Sequence, residues 1–170
     1  MRAALLITGT VGVGKTATAE AVGELLAEEQ VAHAVVDVDW LRRSWPAPPG
    51  DRFNGAIAVR NLRSVAANFF AAGAHRLILA GVIESHAERD EYQAAVGVPL
   101  TVCRLTLAAG ANRERLARRH TGDPEPLGWH LARAPELAAV LDRTGVEDFT
   151  VDSGQGPVRE IARAVLSGWL

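Results

Sequence analysis

"GTVGVGKT", residues 9–16, fits the pattern G-x-x-x-x-G-K-T, with two fixed glycines followed by Lys15 and Thr16. The stretch comes after a short apolar run, "AALLIT" at 3–8, which predicts a buried strand, and leads into a stretch with helical spacing. Glycines allow such a loop to turn its backbone N–H groups toward phosphate oxygens, and the helix adds the positive end of its dipole. The stretch therefore predicts a phosphate-binding loop for a nucleoside triphosphate.

Lys15 is the only lysine in the chain, since every other one of the 18 lysine and arginine residues is an arginine. A slim ammonium can reach the terminal phosphates through a narrow loop, whereas a planar guanidinium does not suit that position. The Thr16 hydroxyl is the expected ligand for Mg²⁺. The predicted cofactors are ATP and Mg²⁺, and the predicted nucleotide-binding residues are Gly9, Thr10, Val11, Gly12, Val13, Gly14, Lys15, Thr16 and Ala17.

The rest of the chain alternates apolar strands with helical stretches. The further predicted strands are "HAVVDVD" (33–39), "RLILAGVIE" (76–84), "PLTVCRLT" (99–106) and "EDFTVDS" (147–153). Apolar strands separated by helices are typical of a parallel sheet that is buried on both faces. The sequence predicts a three-layer P-loop NTPase fold, with a five-stranded parallel sheet between helices, in one domain over residues 1–170.

Composition narrows the classes of protein to consider. The chain is 48 % hydrophobic and 22 % charged, with a net charge of −2. It has no prominent run of like charges, which argues against a nucleic-acid partner. The apolar N-terminal run is too short for a signal peptide or a membrane span. One cysteine, Cys103, allows no internal disulfide. We expect a cytoplasmic monomer or homodimer that binds small molecules, with no membrane or nucleic-acid partner.

The type of phosphate chemistry is constrained by what the sequence lacks. The guanine-recognition element N-K-x-D needs a second lysine, which the chain does not have, so ATP is favoured over GTP. The strand "RLILAGV" has no acid in its body to hold Mg²⁺ and position water, because Glu84 comes only at its end. This disfavours a water-activating hydrolase and favours phosphoryl transfer to a bound acceptor. Which acid supports Mg²⁺ instead stays open.

Two acids follow the second predicted strand. Asp37 and Asp39 come where ligands bind in open α/β sheets, beyond the carboxyl ends of the strands. Either carboxylate could orient or deprotonate an acceptor hydroxyl. The competing role for each is to cap the helix that follows. The spacing alone does not choose between them.

A second cationic element lies in "NRERLARRH". Arg115 and Arg119 are four residues apart, so they share one face of a predicted helix. Two guanidinium groups on a mobile lid, predicted at about 109–128, could close on the base and the phosphates of ATP. The alternative is an ordinary charged surface of the helix.

At this point the chain resembles the P-loop small-molecule kinases grouped around adenylylsulfate kinase, chloramphenicol phosphotransferase and gluconate kinase. "VVDVDWLRRSW" is similar to the D-G-D-N-[LV]-R stretch of the first and the V-D-S-L stretch of the second, and both alignments put the functional acid at Asp39. "VRNLRSVAANFFAAGAHRLILAGVIESHAERDEY" resembles the E-N-I-R-R…R-x-x-R-D run, with Asn61, Arg63 and Arg89 at matching positions.

The resemblance extends to the carboxyl-terminal part. "VCRLTLAAGANRERLARR" is similar to the strand and lid helix of that family, with Arg115 and Arg119 on the lid arginines. "FTVDSGQGPVREIARAVL" is similar to the V-D-T…P-E-E-v-A ending, whose loop lies near the adenine and implies Gly154 as a nucleotide contact. The C-P-L-E…K-G-L-Y-K-K element that holds adenylylsulfate is missing, which argues against that substrate.

The resemblance implies an ATP- and Mg²⁺-dependent kinase that phosphorylates a hydroxyl group of a small molecule. Lys15, Asp39, Arg115 and Arg119 are the expected catalytic residues. The acceptor would lie near the helix 55–73, the loop from Trp40 to Phe53 and the residues after the third strand. The implied acceptor-binding residues are Asp37, Asp39, Arg42, Asn61, Arg63, Glu84 and Arg89.

Two alternative functions and the role of the loop aromatics remain open at this stage. A nucleoside or nucleotide kinase is the first alternative, because the arginines of the loop at 40–54 suit a monophosphate. The second is a nucleotide-binding regulatory or toxin-like module with little turnover. The loop aromatics could stack on an acceptor, although for Trp45 we expect packing into the core.

Overall fold

The structure, a computed structural model, describes residues 1–119, 124–154 and 156–170, and only the backbone at 119 and 124–126. Its strands are β1 (Ala3–Thr8), β2 (His33–Asp37), β3 (Arg76–Ala80), β4 (Leu100–Thr106) and β5 (Phe149–Asp152). Its helices are α1 (Lys15–Glu28), α2 (Val38–Leu41), α3 (Gly55–Ala71), α4 (His86–Val96), α5 (Ala109–Arg119), α6 (Pro124–Thr144) and α7 (Val158–Trp169). Within the described parts of the chain, no helix is both long and apolar enough to span a membrane.

The five strands form one sheet in the order β2-β3-β1-β4-β5, and every neighbouring pair is parallel. This confirms the predicted five-stranded parallel sheet. The central strand β1 pairs with β3 on one side and β4 on the other; the chain leaves β1 toward β2 at one edge, whereas β4 continues to β5 at the other edge. Ligands in such sheets bind beyond the carboxyl ends at this point of divergence, and the loop at 9–16 leaves β1 there.

Helices cover both faces of the sheet, because successive side chains of each strand point to opposite faces. Leu6 and Leu79 pack with Leu62 of α3 and Leu141 of α6 on one face. Ile7, Ile78 and Leu105 pack with Leu26 of α1 and Val165 of α7 on the other. The strands are therefore buried on both sides, which is why their sequences are continuous apolar runs rather than alternating ones.

Several element boundaries differ from the sequence-based ones. The second strand was expected over 33–39 but ends at Asp37, because the Asp37 carboxylate caps α2 by accepting from the Asp39 backbone N–H at 2.9 Å. The third strand ends at Ala80 rather than residue 84. Helix α6 begins at Pro124, inside a stretch expected to be a loop, since proline is tolerated in a first helical turn.

Candidate functional site

The loop at 9–16 has a backbone that glycine alone adopts easily. Gly9 and Gly12 have φ angles of 141° and 86°. A Cβ atom on Gly9 would lie 2.6 Å from the Leu105 carbonyl oxygen, and one on Gly12 would lie 2.6 Å from Asn112 Oδ1. Both the backbone conformation and the close neighbours therefore exclude side chains at these positions.

Lys15 is the first residue of α1, directly after this loop. Its Nζ atom donates hydrogen bonds to the carbonyl oxygens of Gly9, at 3.1 Å, and Thr10, at 3.0 Å. The ammonium thus lies back across the loop, half-buried, with the α1 N-terminus beside it. A compact cation with an adjacent helix N-terminus is a suitable environment for phosphate oxygens.

Thr16 and Asp37 meet across two elements. The Thr16 hydroxyl donates to Asp37 Oδ2 at 2.8 Å, while Asp37 Oδ1 caps α2. A hydroxyl and a carboxylate are both oxygen ligands of the kind that Mg²⁺ takes, with phosphates and water completing the shell. The donor set fits this ion, and no group of three or more metal-binding side chains occurs in the part of the chain that the structure describes.

Asp39 lies two residues further on, at the start of α2, and its side chain is exposed. Its Oδ1 atom is 3.6 Å from Arg42 Nε, which is a loose ion pair. Arg42 also donates from Nη2 to the Tyr92 hydroxyl at 3.2 Å. Burial raises the pKa of Tyr92, and this outweighs the opposite effect of Arg42. Both carboxylate oxygens of Asp37 accept hydrogen bonds within the protein, whereas the carboxylate of Asp39 is exposed.

Glu84 has a partner that the sequence analysis missed. Arg133, on α6, donates from Nη2 to Glu84 Oε1 at 2.5 Å and from Nη1 to Glu136 Oε2 at 3.1 Å. Its side chain is largely buried, and the pair ties α6 to the segment after β3. No motif in the sequence distinguishes Arg133 from the other arginines, so only the fold brings it to the site.

Arg115 joins α5 to the loop at 9–16 and to the segment after β5. It donates from Nη1 to the Val13 carbonyl at 3.2 Å and from Nη2 to the Ser153 carbonyl at 2.6 Å. Gly154, the predicted nucleotide contact, is the next residue. The side chain of Arg119, the other predicted lid arginine, is outside the part of the chain that the structure describes. The same holds for residues 120–123 of the predicted lid.

Asn112 was also missed and lies on the same face of α5 as Arg115 and Leu116. It is buried, and its Nδ2 atom is 3.4 Å from Thr10 Oγ1. Its Oδ1 atom has no hydrogen-bond partner among the described residues and faces Gly12. Helix α5, which carries Arg115, is therefore packed directly on the loop at 9–16.

The other three predicted acceptor residues lie on α3 and α4. Arg89 donates from Nη2 to both carboxylate oxygens of Asp148 at 2.9 Å and from Nη1 to the Val146 carbonyl, so it ties α4 to the segment before β5. Asn61 donates to the Leu41 carbonyl at 2.8 Å. Arg63 is exposed, and its position is about 200° from that of Asn61 around the axis of α3, so the two residues lie on nearly opposite sides of the helix. Arg89 thus contacts the scaffold and Arg63 faces solvent, whereas Asn61 joins α3 to α2, the helix that carries Asp39.

The expectation that Trp45 packs into the core is wrong. The Trp45 side chain is 93 % exposed, and Trp40 and Phe53 in the same segment are exposed as well. The segment 42–54 is nevertheless held in place, because Asn54 Nδ2 donates to the carbonyl oxygens of Arg42 and Ser44, each at 2.9 Å.

No protein-family model and no curated protein matches the sequence. Solved structures do match. A tunicamycin resistance protein from Deinococcus radiodurans is similar with a TM-score of 0.71 and 19 % identity, over 99 % of this chain and 96 % of that one. A gluconokinase from Sinorhizobium meliloti is similar with a TM-score of 0.63 and 20 % identity, over 99 % and 93 %.

The APS kinase of Mycobacterium tuberculosis, whose structure holds AMPPNP and APS, is similar with a TM-score of 0.60 and 20 % identity, over 98 % and 96 % of the two chains. These likenesses extend over nearly the whole length of each protein. The resemblance seen in the sequence is thereby confirmed at the level of the fold: the chain has the fold of the P-loop small-molecule kinases.

Proposed function

We propose that the protein transfers the γ-phosphate of ATP to a hydroxyl group of a small molecule. The observation that carries this proposal is the contact of Thr16 with Asp37 beside Lys15. It joins the phosphate loop to the carboxyl end of β2, where a second acid, Asp39, remains accessible. A phosphate site and an accessible carboxylate on neighbouring elements are the parts that phosphoryl transfer to an alcohol needs.

The two acids have different roles in this proposal. Asp37 and Thr16 would hold Mg²⁺, which supplies neutralising charge to the phosphates when bound. Asp37 lies beside Thr16, so in this proposal its carboxylate serves the ion rather than an acceptor. Asp39 has only the loose contact with Arg42, and we assign it the acceptor hydroxyl, which it orients or deprotonates.

Cations surround the other side of the transferring group. Lys15 binds the terminal phosphates in place of the two carbonyl oxygens that it now contacts. Arg115 adds positive charge next to the phosphate loop, and Arg119 is proposed to join it from the lid. Closing of the lid would exclude water and so limit wasteful hydrolysis of ATP.

The test is a paired comparison of Asp37→Asn and Asp39→Asn in an ADP-release assay over hydroxyl-bearing metabolites, antibiotics and nucleoside monophosphates. Asp39→Asn should lower kcat by about 10²–10⁴-fold with ATP affinity unchanged, as expected for loss of a general base. Asp37→Asn should raise the Mg²⁺ concentration needed for half-maximal rate. Lys15→Ala should abolish transfer while the thermal unfolding profile shows an intact fold.

Wild-type turnover in Asp39→Asn would remove that residue from the mechanism. The panel also separates the alternative functions. Transfer to nucleoside monophosphates alone would identify a nucleotide kinase. Nucleotide binding without transfer to any acceptor would identify a regulatory nucleotide-binding module and would contradict the proposed activity.

A further inference from the structure

Asn112, on α5, has a buried side-chain amide whose hydrogen-bonding groups are poorly used in this structure. The residue is only 7 % exposed. Its Nδ2 atom donates to the Thr10 hydroxyl at 3.4 Å, which is long for a hydrogen bond, and its Oδ1 atom has no partner among the described residues. A buried polar group without its hydrogen bonds costs free energy, so its presence calls for an explanation.

The amide lies between α5 and the phosphate loop. A Cβ atom on Gly12 would be 2.6 Å from Asn112 Oδ1, so this oxygen lies against the backbone of the loop. Thr10, the partner of Nδ2, has a carbonyl oxygen that accepts from Lys15 Nζ at 3.0 Å. Thr10 therefore contacts the Asn112 amide through its hydroxyl and the Lys15 ammonium through its carbonyl.

Packing alone does not explain an asparagine at this position. Leucine has the same branching and the same number of side-chain non-hydrogen atoms, and it would avoid the cost of the unpaired oxygen. Other contacts already attach α5 to the loop, because Leu116 lies against Gly12 and Arg115 Nη1 donates to the Val13 carbonyl at 3.2 Å. The polar side chain is better explained by a second arrangement of the loop, in which the amide is fully hydrogen-bonded.

We propose that Asn112 is a positioning residue for the nucleotide. As the loop closes around the phosphates, Lys15 turns from the Thr10 carbonyl toward them, and the loop backbone moves relative to α5. The Asn112 amide then completes its hydrogen bonds with the Thr10 hydroxyl and with the backbone near Gly12, which favours the arrangement that binds nucleotide. This inference rests on the proposed function, and it gives Asn112 no contact with the nucleotide or the acceptor.

The test measures the affinity for mant-ATP, with Mg²⁺ present, in the wild type, Asn112→Leu, Thr10→Val and the double variant. Each single substitution removes one partner of the contact and keeps the branching of the side chain. Each should weaken binding about three- to tenfold, as expected for the loss of one hydrogen bond. The double variant should bind no more weakly than the weaker single variant, because both substitutions remove the same interaction.

Thermal unfolding separates positioning from packing. Without nucleotide, the unfolding midpoint of Asn112→Leu should equal or exceed that of the wild type, because the substitution removes an unpaired buried oxygen. A residue with only a packing role would instead lose stability and nucleotide affinity together. Asn68→Leu, the same substitution at an exposed position of α3, is the control and should leave the affinity unchanged.

Four results would overturn the inference and leave the proposed function standing. These are wild-type affinity in Asn112→Leu, additive losses in the double variant, a lower unfolding midpoint of Asn112→Leu, and an equal loss of affinity in Asn68→Leu. If the wild-type protein did not bind mant-ATP, the proposed function would be contradicted, and this inference with it.

Discussion

Gly12 lies where the phosphate loop packs against α5. Its φ of 86° is strained for any other residue, and an added Cβ atom would meet Asn112 Oδ1 at 2.6 Å and Leu116 Cδ2 at 2.8 Å. We predict that Gly12→Ala weakens binding of a fluorescent ATP analogue at least about tenfold and lowers the free energy of unfolding by about 1–3 kcal/mol. Titration and urea denaturation measure the two effects.

Gly110→Ala provides the matched control for Gly12→Ala. Gly110 lies in α5, and nothing is within 4 Å of the position that its Cβ would take. Alanine there should leave nucleotide affinity unchanged and stabilise the helix by about 0.4–1 kcal/mol. Equal effects of the two substitutions on nucleotide binding would show that the contact of Gly12 with α5 is unimportant.

Single residues were predictable where a local pattern fixes their role. Lys15 and Thr16 were identified because the glycine spacing and the preceding strand specify them. The resemblance put the functional acid at Asp39, but the hydrogen bond that Asp37 accepts from the Thr16 hydroxyl was not predictable, since only the sheet brings the end of β2 next to the start of α1. Arg133 reaches Glu84 only through the fold, so its part in the site was missed.

Arg104 connects β4 with α6 and with the segment before β5. Its side chain is largely buried and donates to Asp142 Oδ1 at 2.6 Å and to Glu147 Oε1 at 3.4 Å. We predict that Arg104→Ala lowers the free energy of unfolding by about 3–5 kcal/mol, because it leaves the largely buried Glu147 side chain without its cation. Urea denaturation at neutral pH measures this loss.

Asp142→Asn is the comparison for Arg104→Ala, because the Asp142 side chain is mostly exposed. It should cost less than about 1 kcal/mol, as exposed ion pairs usually do. If the two variants were equally stable, the burial of Arg104 and Glu147 would not contribute to the stability of this junction.

Elements were predicted well where their ends are encoded locally. Helix α4 was expected over 85–97, and Ser85 and Gly97 are indeed its caps. The ends of β2 and β3 and the start of α6 were missed, because a strand stops where pairing with its neighbour stops, and a proline-rich turn can also begin a helix. Such boundaries depend on tertiary contacts rather than on local composition.

Cys103 lies in the core, on the face of the sheet that α1 and α7 cover. The ionisation of its thiol therefore reports on unfolding of the whole molecule. Burial raises its pKa from 9.0 to about 12. Between these two values the folded thiol keeps a proton that the unfolded thiol loses, so the free energy of unfolding falls as pH rises from 9 toward 12. At pH 10.5 this loss amounts to about 2 kcal/mol.

We predict that Cys103→Ala has a smaller decrease in the free energy of unfolding between pH 8 and pH 10.5 than the wild type, because it lacks this group. The native thiol should also fail to react with a disulfide reagent at pH 8 and should react fully in urea. Rapid reaction of the native protein would contradict a buried thiol, and identical pH dependence of the two proteins would contradict the raised pKa.

At the scale of the molecule, the parallel sheet and its number of strands followed from the alternation of apolar runs and helices. The strand order did not, since it is set by which crossovers bury the two faces of β1. The exposure of Trp40 and Trp45 did not follow from the sequence either, because large apolar rings are usually buried.

The single lysine of this chain, whose ammonium contacts the carbonyl oxygens of Gly9 and Thr10, allows occupancy of the loop to be measured directly. Acetic anhydride modifies amines and leaves guanidinium groups untouched, so among the lysine and arginine side chains it would mark only Lys15. A filled loop should shield that amine, and an empty one should leave it open to the reagent. The mass of one proteolytic fragment would then report the bound fraction, with no need for an acceptor, a coupled assay or an engineered label.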